Sequence, residues 1–367
     1  EFAGAAEAAA STGGQIMPPI MGAAAFLMAD YVQLPYGQIA LKAVLPALLY
    51  FTGIFISVHL EAKKVGLKGL PKEELPKLKK SYLLLPLVLL IYLVSTSQKS
   101  IQYAAALSIV ACIVVTLFSR ETRITPMRLL EALAAGGQGS ITVAAACGIA
   151  GIIAGTITMT GLANVIINGI VVLAGDSVLI ALFLTMLCCI VLGMGVPTTA
   201  TYCIMAATCA PILVRMGVPM VAAHFFVFYF GIVADLTPPV ALAAYAGAAI
   251  AQANPMKTAI QATKLAIGAF IVPYAFALSP SMLLIDTTAM EVILITVTSL
   301  IGIASVSAAM EGYIMGNLNW LQRVLMLVGG LMMIYPGVTT DAIGIALSGA
   351  VVVLKLVQNK KMKAQLA

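Results

Sequence analysis

Charge is what this sequence has least of. Only 9% of its 367 residues are Asp, Glu, Lys or Arg, while 62% are hydrophobic and mean hydropathy is +1.07. A soluble domain carries about 25% charged and about 45–50% apolar residues. So few charges cannot cover a water-facing surface of this size. Walker A, HExxH, GxSxG and paired-carboxylate patterns are all missing, which argues against an enzyme and against work driven by the chain's own ATP hydrolysis. The six cysteines (Cys112, Cys147, Cys188, Cys189, Cys203, Cys209) all fall inside apolar runs. Their spacing resembles neither a zinc site nor a disulfide framework, so they read as small packing residues. The net charge of +6 does not point to nucleic acid either, because no basic patch is interleaved with aromatics.

What the sequence does have is a succession of apolar runs near the spanning length of roughly 20 residues. Lipid offers the backbone no hydrogen bonds, so such runs must be helices, and alternating barrel-type segments are not seen. The fold class is therefore all-α, a polytopic membrane protein with broken helices. Basic residues gather between the runs: Lys63, Lys64, Lys68, Lys72, Lys77, Lys79 and Lys80, then Arg120, Arg123 and Arg128, then Lys355, Lys360, Lys361 and Lys363. Residues 38–58 read as a span and 59–81 as a polar loop broken by Pro71 and Pro76. Spans follow at 82–97 and 103–119, joined by Ser97-Gln98-Lys99. Two crossings bring the chain back to its starting side, so both basic loops share a face, which the positive-inside rule places in the cytoplasm. The expected location is the inner membrane.

Residues 126–135 suit a short interfacial helix. After Gly136-Gly137, apolar stretches lie at 140–160, 162–174 and 178–194, with interrupted ones at 198–214 and 221–250 and a further span at 258–279. Residues 289–309 and 322–356 supply three more. The resulting division is 1–58, the end of a first inverted repeat; 59–137, the Lys-rich loop, two scaffold helices and the interfacial helix; 138–280, a second inverted repeat; and 281–367, additional membrane helices. The first residues, from Glu1-Phe2, read as the inside of a helix, as expected of the C-terminal portion of a longer polypeptide.

Three interruptions carry the chemistry. The first is Ser11-Thr12-Gly13-Gly14-Gln15-Ile16-Met17-Pro18-Pro19 and the second is Gly231-Ile232-Val233-Ala234-Asp235-Leu236-Thr237-Pro238-Pro239. Each sets small and polar residues before a Pro-Pro pair, where a regular helix cannot continue. Unwound backbone at membrane depth survives only inside protein or beside a cavity. There its carbonyls can hold a cation and half-helix N-termini can face a carboxylate. The third, Gly193-Met194-Gly195-Val196-Pro197-Thr198-Thr199-Ala200-Thr201, has the make-up of a hairpin tip whose oxygens suit an alkali cation. Gly195 precedes Pro238 by 43 residues. A matching tip for the first interruption would fall before residue 1.

Among the rare charges, Asp235 lies in the second broken helix and is expected to coordinate sodium. Glu7, just before the first interruption, could be a second ion-site carboxylate or an ordinary surface group. Asp30 and Asp176 near span ends are expected to be solvated, Glu311 to be interfacial, His59 to border the Lys loop, and His224 to be a packing residue among Phe225, Phe226 and Phe228. Arg215, Tyr313 and Trp320 read as interface anchors.

These motifs resemble the large membrane subunit of the tripartite ATP-independent periplasmic (TRAP) transporters. The likeness rests on Ala8-Ala9-Ala10 running into Ser11–Pro19, on Leu192–Ala200, and on Asp235–Ala241, in matching order and spacing, and is best over residues 3–280. The Lys-rich insert and the spans after about residue 285 resemble the fused-permease branch, whose binding protein is of the TAXI type. The resemblance implies an elevator-type permease driven by sodium, a soluble extracytoplasmic binding protein as partner, and a small carboxylate as substrate. Carried over, it places substrate at Ser11, Thr12, Gly13, Gly14, Thr198, Thr199 and Thr237. It places sodium at Gly14, Gly195, Val196, Thr199, Ala234, Asp235 and Thr237. Many relatives have Asp before the hairpin-tip proline; here Val196 stands there. Two other readings of the residues stay open at this stage: a sodium/divalent-anion symporter that needs no binding protein, and a non-transporting membrane scaffold.

Overall fold

The structure, a computed structural model, describes residues 1–67, 81–96, 100–118 and 123–366. Residues 68–80, with Pro71, Pro76 and most of the Lys cluster, lie outside the described residues, as do the Ser97-Gln98-Lys99 turn and Arg120. Among the described residues regular structure is helical, apart from an isolated bridge between Tyr313 and Asn317. The chain is a multi-pass membrane protein in its build. Large apolar side chains such as Phe55, Ile152 and Val172 are 70% exposed or more, a surface that suits lipid and not water.

Helix α1 (Phe2–Gly13) breaks and resumes as α2 (Ala23–Val32), which leads to α3 (Tyr36–Val65). Then come α4 (Leu85–Ser95) and α5 (Ile101–Thr116), which pack on each other, and α6 (Pro126–Met159), α7 (Leu162–Ala174), α8 (Val178–Gly193), α9 (Thr198–Thr208), α10 (Ala210–Arg215) and α11 (Met220–Val233). A second break separates α11 from α12 (Leu242–Ile250), followed by α13 (Pro255–Leu265), α14 (Ile267–Leu278), α15 (Ala289–Glu311), α16 (Trp320–Ile334) and α17 (Val338–Leu366). Among the described residues four helical rods are long and apolar enough to span a bilayer. The α6–α7 pair, bent by 70°, is a fifth candidate.

Two expectations are corrected. Residues 126–135 are not a separate interfacial helix but the start of the 34-residue α6, whose N-cap is Thr125 with Pro126 at the first turn. Gly136, Gly137 and Gly139 interrupt nothing, because each costs about 1 kcal/mol relative to Ala, too little to end a helix without a proline. Glu311, expected to be interfacial, is enclosed by protein: it is 3% exposed and pairs with Lys264. Asp30 and Asp176 are exposed, as expected.

The two breaks are built alike. A shift of 220 residues carries Pro18-Pro19 onto Pro238-Pro239, both cis, and Pro35 onto Pro255, before α3 and at the start of α13. The backbone follows suit. Ile16 N donates to the Gly13 carbonyl and Leu236 N to the Val233 carbonyl, both at 2.9 Å. Met21 N bonds the Met17 carbonyl and Ala241 N the Thr237 carbonyl, both at 3.2 Å. Met21 and Ala241 both have positive φ, and Ile16 and Leu236 are both fully buried.

The halves also interlock reciprocally. Helix α1 crosses α12 where a Cβ on Gly4 would lie 2.7 Å from the Gly247 carbonyl oxygen and 3.2 Å from Ala251 Cβ. The counterpart of Gly4 under the same shift is His224, and that of Ala251 is Tyr31. These two rings meet where α11 packs on α2, their centroids 5.9 Å apart. His224 is buried and its Nδ1 shares a hydrogen bond of 2.8 Å with the Tyr202 hydroxyl. It is the packing histidine the sequence led us to expect.

Candidate functional site

The hairpin tip and the second break meet. A Cβ on Gly193 would lie 2.8 Å from Ala234 Cβ, and one on Gly195 would lie 3.8 Å from Val240 Cγ1. Gly195 has φ +72 and is exposed, so the tip is a left-handed turn that glycine adopts without strain. Thr198, in the first turn of α9, stands beside the half-buried Asp235 carboxylate. Thr199 and Thr237 are half-buried, and Thr237 Oγ1 donates to the Val233 carbonyl at 2.8 Å. Val196 packs beside Ala150, Ala200 and Ile204, while its carbonyl accepts from Thr201 Oγ1 at 3.1 Å.

The first break lies against α3. The Tyr50 hydroxyl donates to the Ala9 carbonyl at 2.8 Å, and Gly13 faces the Tyr50 and Phe51 rings with no space for a side chain. The Tyr36 hydroxyl reaches the Pro19 and Ile20 carbonyls at 2.9 and 2.6 Å. Thr12 is buried, whereas Ser11 and Gly14 are exposed. Glu7 is exposed and accepts a 2.9 Å hydrogen bond from Ser11 Oγ. These contacts set the residues proposed from sequence into two groups: the tip with the second break, and the first break with α3.

Several residues that hold the breaks were missed in the sequence. Tyr36, Tyr50 and Thr263 each send a hydroxyl to main chain in or beside an interruption, Thr263 to the Leu236 carbonyl at 3.1 Å. The usable signal was that Tyr50 puts a hydroxyl in the middle of the apolar span read at 38–58. Arg215 Nη1 donates to Asn168 Oδ1 at 2.6 Å, so it ties α10 to α7.

Many break carbonyls are spoken for. Gly22 N closes on the Gln15 carbonyl at 3.0 Å and Ala243 N on the Asp235 carbonyl at 3.1 Å. What faces the tip is therefore one carboxylate among neutral hydroxyl and carbonyl oxygens, a set chemically fit for a hard, weakly charged cation.

A family comparison bears on this arrangement. Residues 1–291 match the model of the tripartite ATP-independent periplasmic transporter, DctM component. The chain belongs to this family. No match to a curated protein was found. Membership makes the chain a permease subunit of a transporter, with a substrate-binding protein as partner and a small molecule as cargo. The match takes in both breaks and the hairpin of this DctM component and stops within the first turn of α15.

Proposed function

We propose that this DctM component imports small organic acids across the inner membrane, coupled to sodium and supplied by a TAXI-type extracytoplasmic binding protein, through an elevator movement. The observation that carries the proposal is Asp235, a carboxylate set into a helix break and met by the Gly/Thr tip of a hairpin. One negative charge among neutral oxygens suits a monovalent cation; divalent sites use several carboxylates. Sodium is assigned to oxygens at Gly14, Gly195, Val196, Thr199, Ala234, Asp235 and Thr237. The Val196 carbonyl retains a second lone pair beyond its bond to Thr201. The substrate carboxylate is assigned to Ser11, Thr12, Gly13, Gly14, Thr198, Thr199 and Thr237; of these, Thr198 and Thr199 stand at the N-terminus of α9, which favours an anion.

The test is uptake of radiolabelled succinate, malate, pyruvate and glutamate into proteoliposomes holding the protein and its binding protein. Uptake of at least one of these should need both the binding protein and an inward sodium gradient. Uptake that ignores sodium and follows only a proton gradient would remove the coupling assignment, and uptake without the binding protein would remove the partner. A second result is expected from Thr198→Ala. It removes the hydroxyl that stands beside the Asp235 carboxylate, and the sodium concentration for half-maximal uptake should rise about tenfold. An unchanged sodium dependence would take Thr198 out of the site.

A further inference from the structure

The family match ends at residue 291, so all but the first three residues of α15, and all of α16 and α17, lie beyond it. These helices form one unit through small residues. A Cβ on Gly302 would lie 2.7 Å from the Gly330 carbonyl oxygen, and one on Gly329 would lie 2.9 Å from that of Gly344. Helix α15 lies along α3, where Ser307 Oγ donates to the Gly53 carbonyl at 3.2 Å. Helix α13 keeps other company: its main neighbours are α1 and α12, one half of each broken helix.

A buried ion pair bridges these two groups. Lys264 Nζ of α13 lies 2.8 Å from Glu311 Oε2 at the end of α15, with the Glu311 side chain fully buried and that of Lys264 23% exposed. The other carboxylate oxygen, Oε1, is buried without a hydrogen-bond partner. The burial of this charge therefore depends on Lys264. Two more cations converge on the same helix end. Lys64 Nζ of α3 reaches the Glu311 carbonyl at 3.3 Å. Arg323 of α16 reaches the Ala309 carbonyl at 2.8 Å and the Met310 carbonyl at 3.1 Å. Cations belong at the negative pole of a helix, where carbonyls lack intrahelical donors. Four helices are thus pinned at one node, and two of them, α3 and α13, each follow directly from a broken helix; α13 is the one held there by the ion pair.

We infer that α15–α17 is a fixed brace and that Lys264–Glu311 is its positioning clamp on α13, the segment from which the second broken helix hangs. The purpose of the clamp rests on the transport reading above; its mechanics do not. A pair that only filled space would be replaceable by apolar side chains of similar volume. A clamp would not, because apolar contact fixes no direction.

The experiment compares the unaltered chain, Lys264→Arg and the double variant Lys264→Met/Glu311→Leu, reading hydrogen–deuterium exchange in nanodiscs and uptake of the four labelled acids in proteoliposomes. The double variant should fold, exchange about tenfold faster across residues 242–265, and lose about tenfold in uptake, while Lys264→Arg keeps both near normal. If the double variant exchanges and transports like the unaltered chain, or Lys264→Arg behaves like the double variant, the clamp is wrong. If exchange rises with uptake unchanged, its role in transport is wrong. Should the double variant fail to accumulate, Glu311→Asp, which draws the carboxylate back by one methylene, is read against the same outcomes. An unaltered chain that transports none of the acids sinks the transport reading, and exchange still decides the clamp.

Discussion

Asp235→Asn is expected to lower sodium-driven uptake on the order of a hundredfold, equivalent to the roughly 2–3 kcal/mol carried by a contact to a charged group. The substitution keeps shape and hydrogen-bonding capacity, so the packing of Ala234 beneath Gly193 and the approach of Thr198 have no reason to fail. Amounts of protein in the membrane and its melting temperature should stay near those of the unaltered chain. The loss should appear as a weaker response to sodium rather than a weaker response to the binding protein. A variant that transports normally under a sodium gradient would show that Asp235 caps the neighbouring half-helix and does nothing more.

The second large effect is on folding. Gly247→Val would drive a branched side chain into the Gly4 carbonyl, since even a bare Cβ would lie 2.5 Å from that oxygen. Two main chains cannot both retreat, because α1 is held by Tyr50 and α12 by α13. The cost is about 3 kcal/mol, at the upper end of what overpacking does. For a protein of ordinary stability that removes much of the margin. The expected result is loss of monodisperse protein on gel filtration in detergent, together with loss of uptake. Gly136→Val offers the contrast: that glycine faces open space within α6 and the chain should tolerate it. If both variants behave alike, the crossing is looser than its distances indicate.

Much of the site was legible because prolines and glycines act on their own backbone. Pro18-Pro19, Pro238-Pro239 and Gly195 announce broken helix and turn without reference to anything distant. The apolar runs announced the membrane in the same local way. What stayed hidden depends on partners far along the chain. Glu311 looked interfacial because it ends an apolar run, and only the fold sets Lys264 against it, 47 residues away. The reach of α6 through Gly136-Gly137 was misjudged for the opposite reason: glycine weakens a helix but does not stop it. Nor could spacing along the chain tell that the hairpin tip would rest on the second break, with Thr198 touching Asp235.

The turns at the breaks close on their own main chain, Gly22 on Gln15 and Ala243 on Asp235, with tyrosine and threonine hydroxyls serving the carbonyls left over. A cradle closed largely on its own main chain has the means to keep its outline after its cargo departs. In the elevator movement proposed above, such self-sufficiency is what would make the homeward leg feasible.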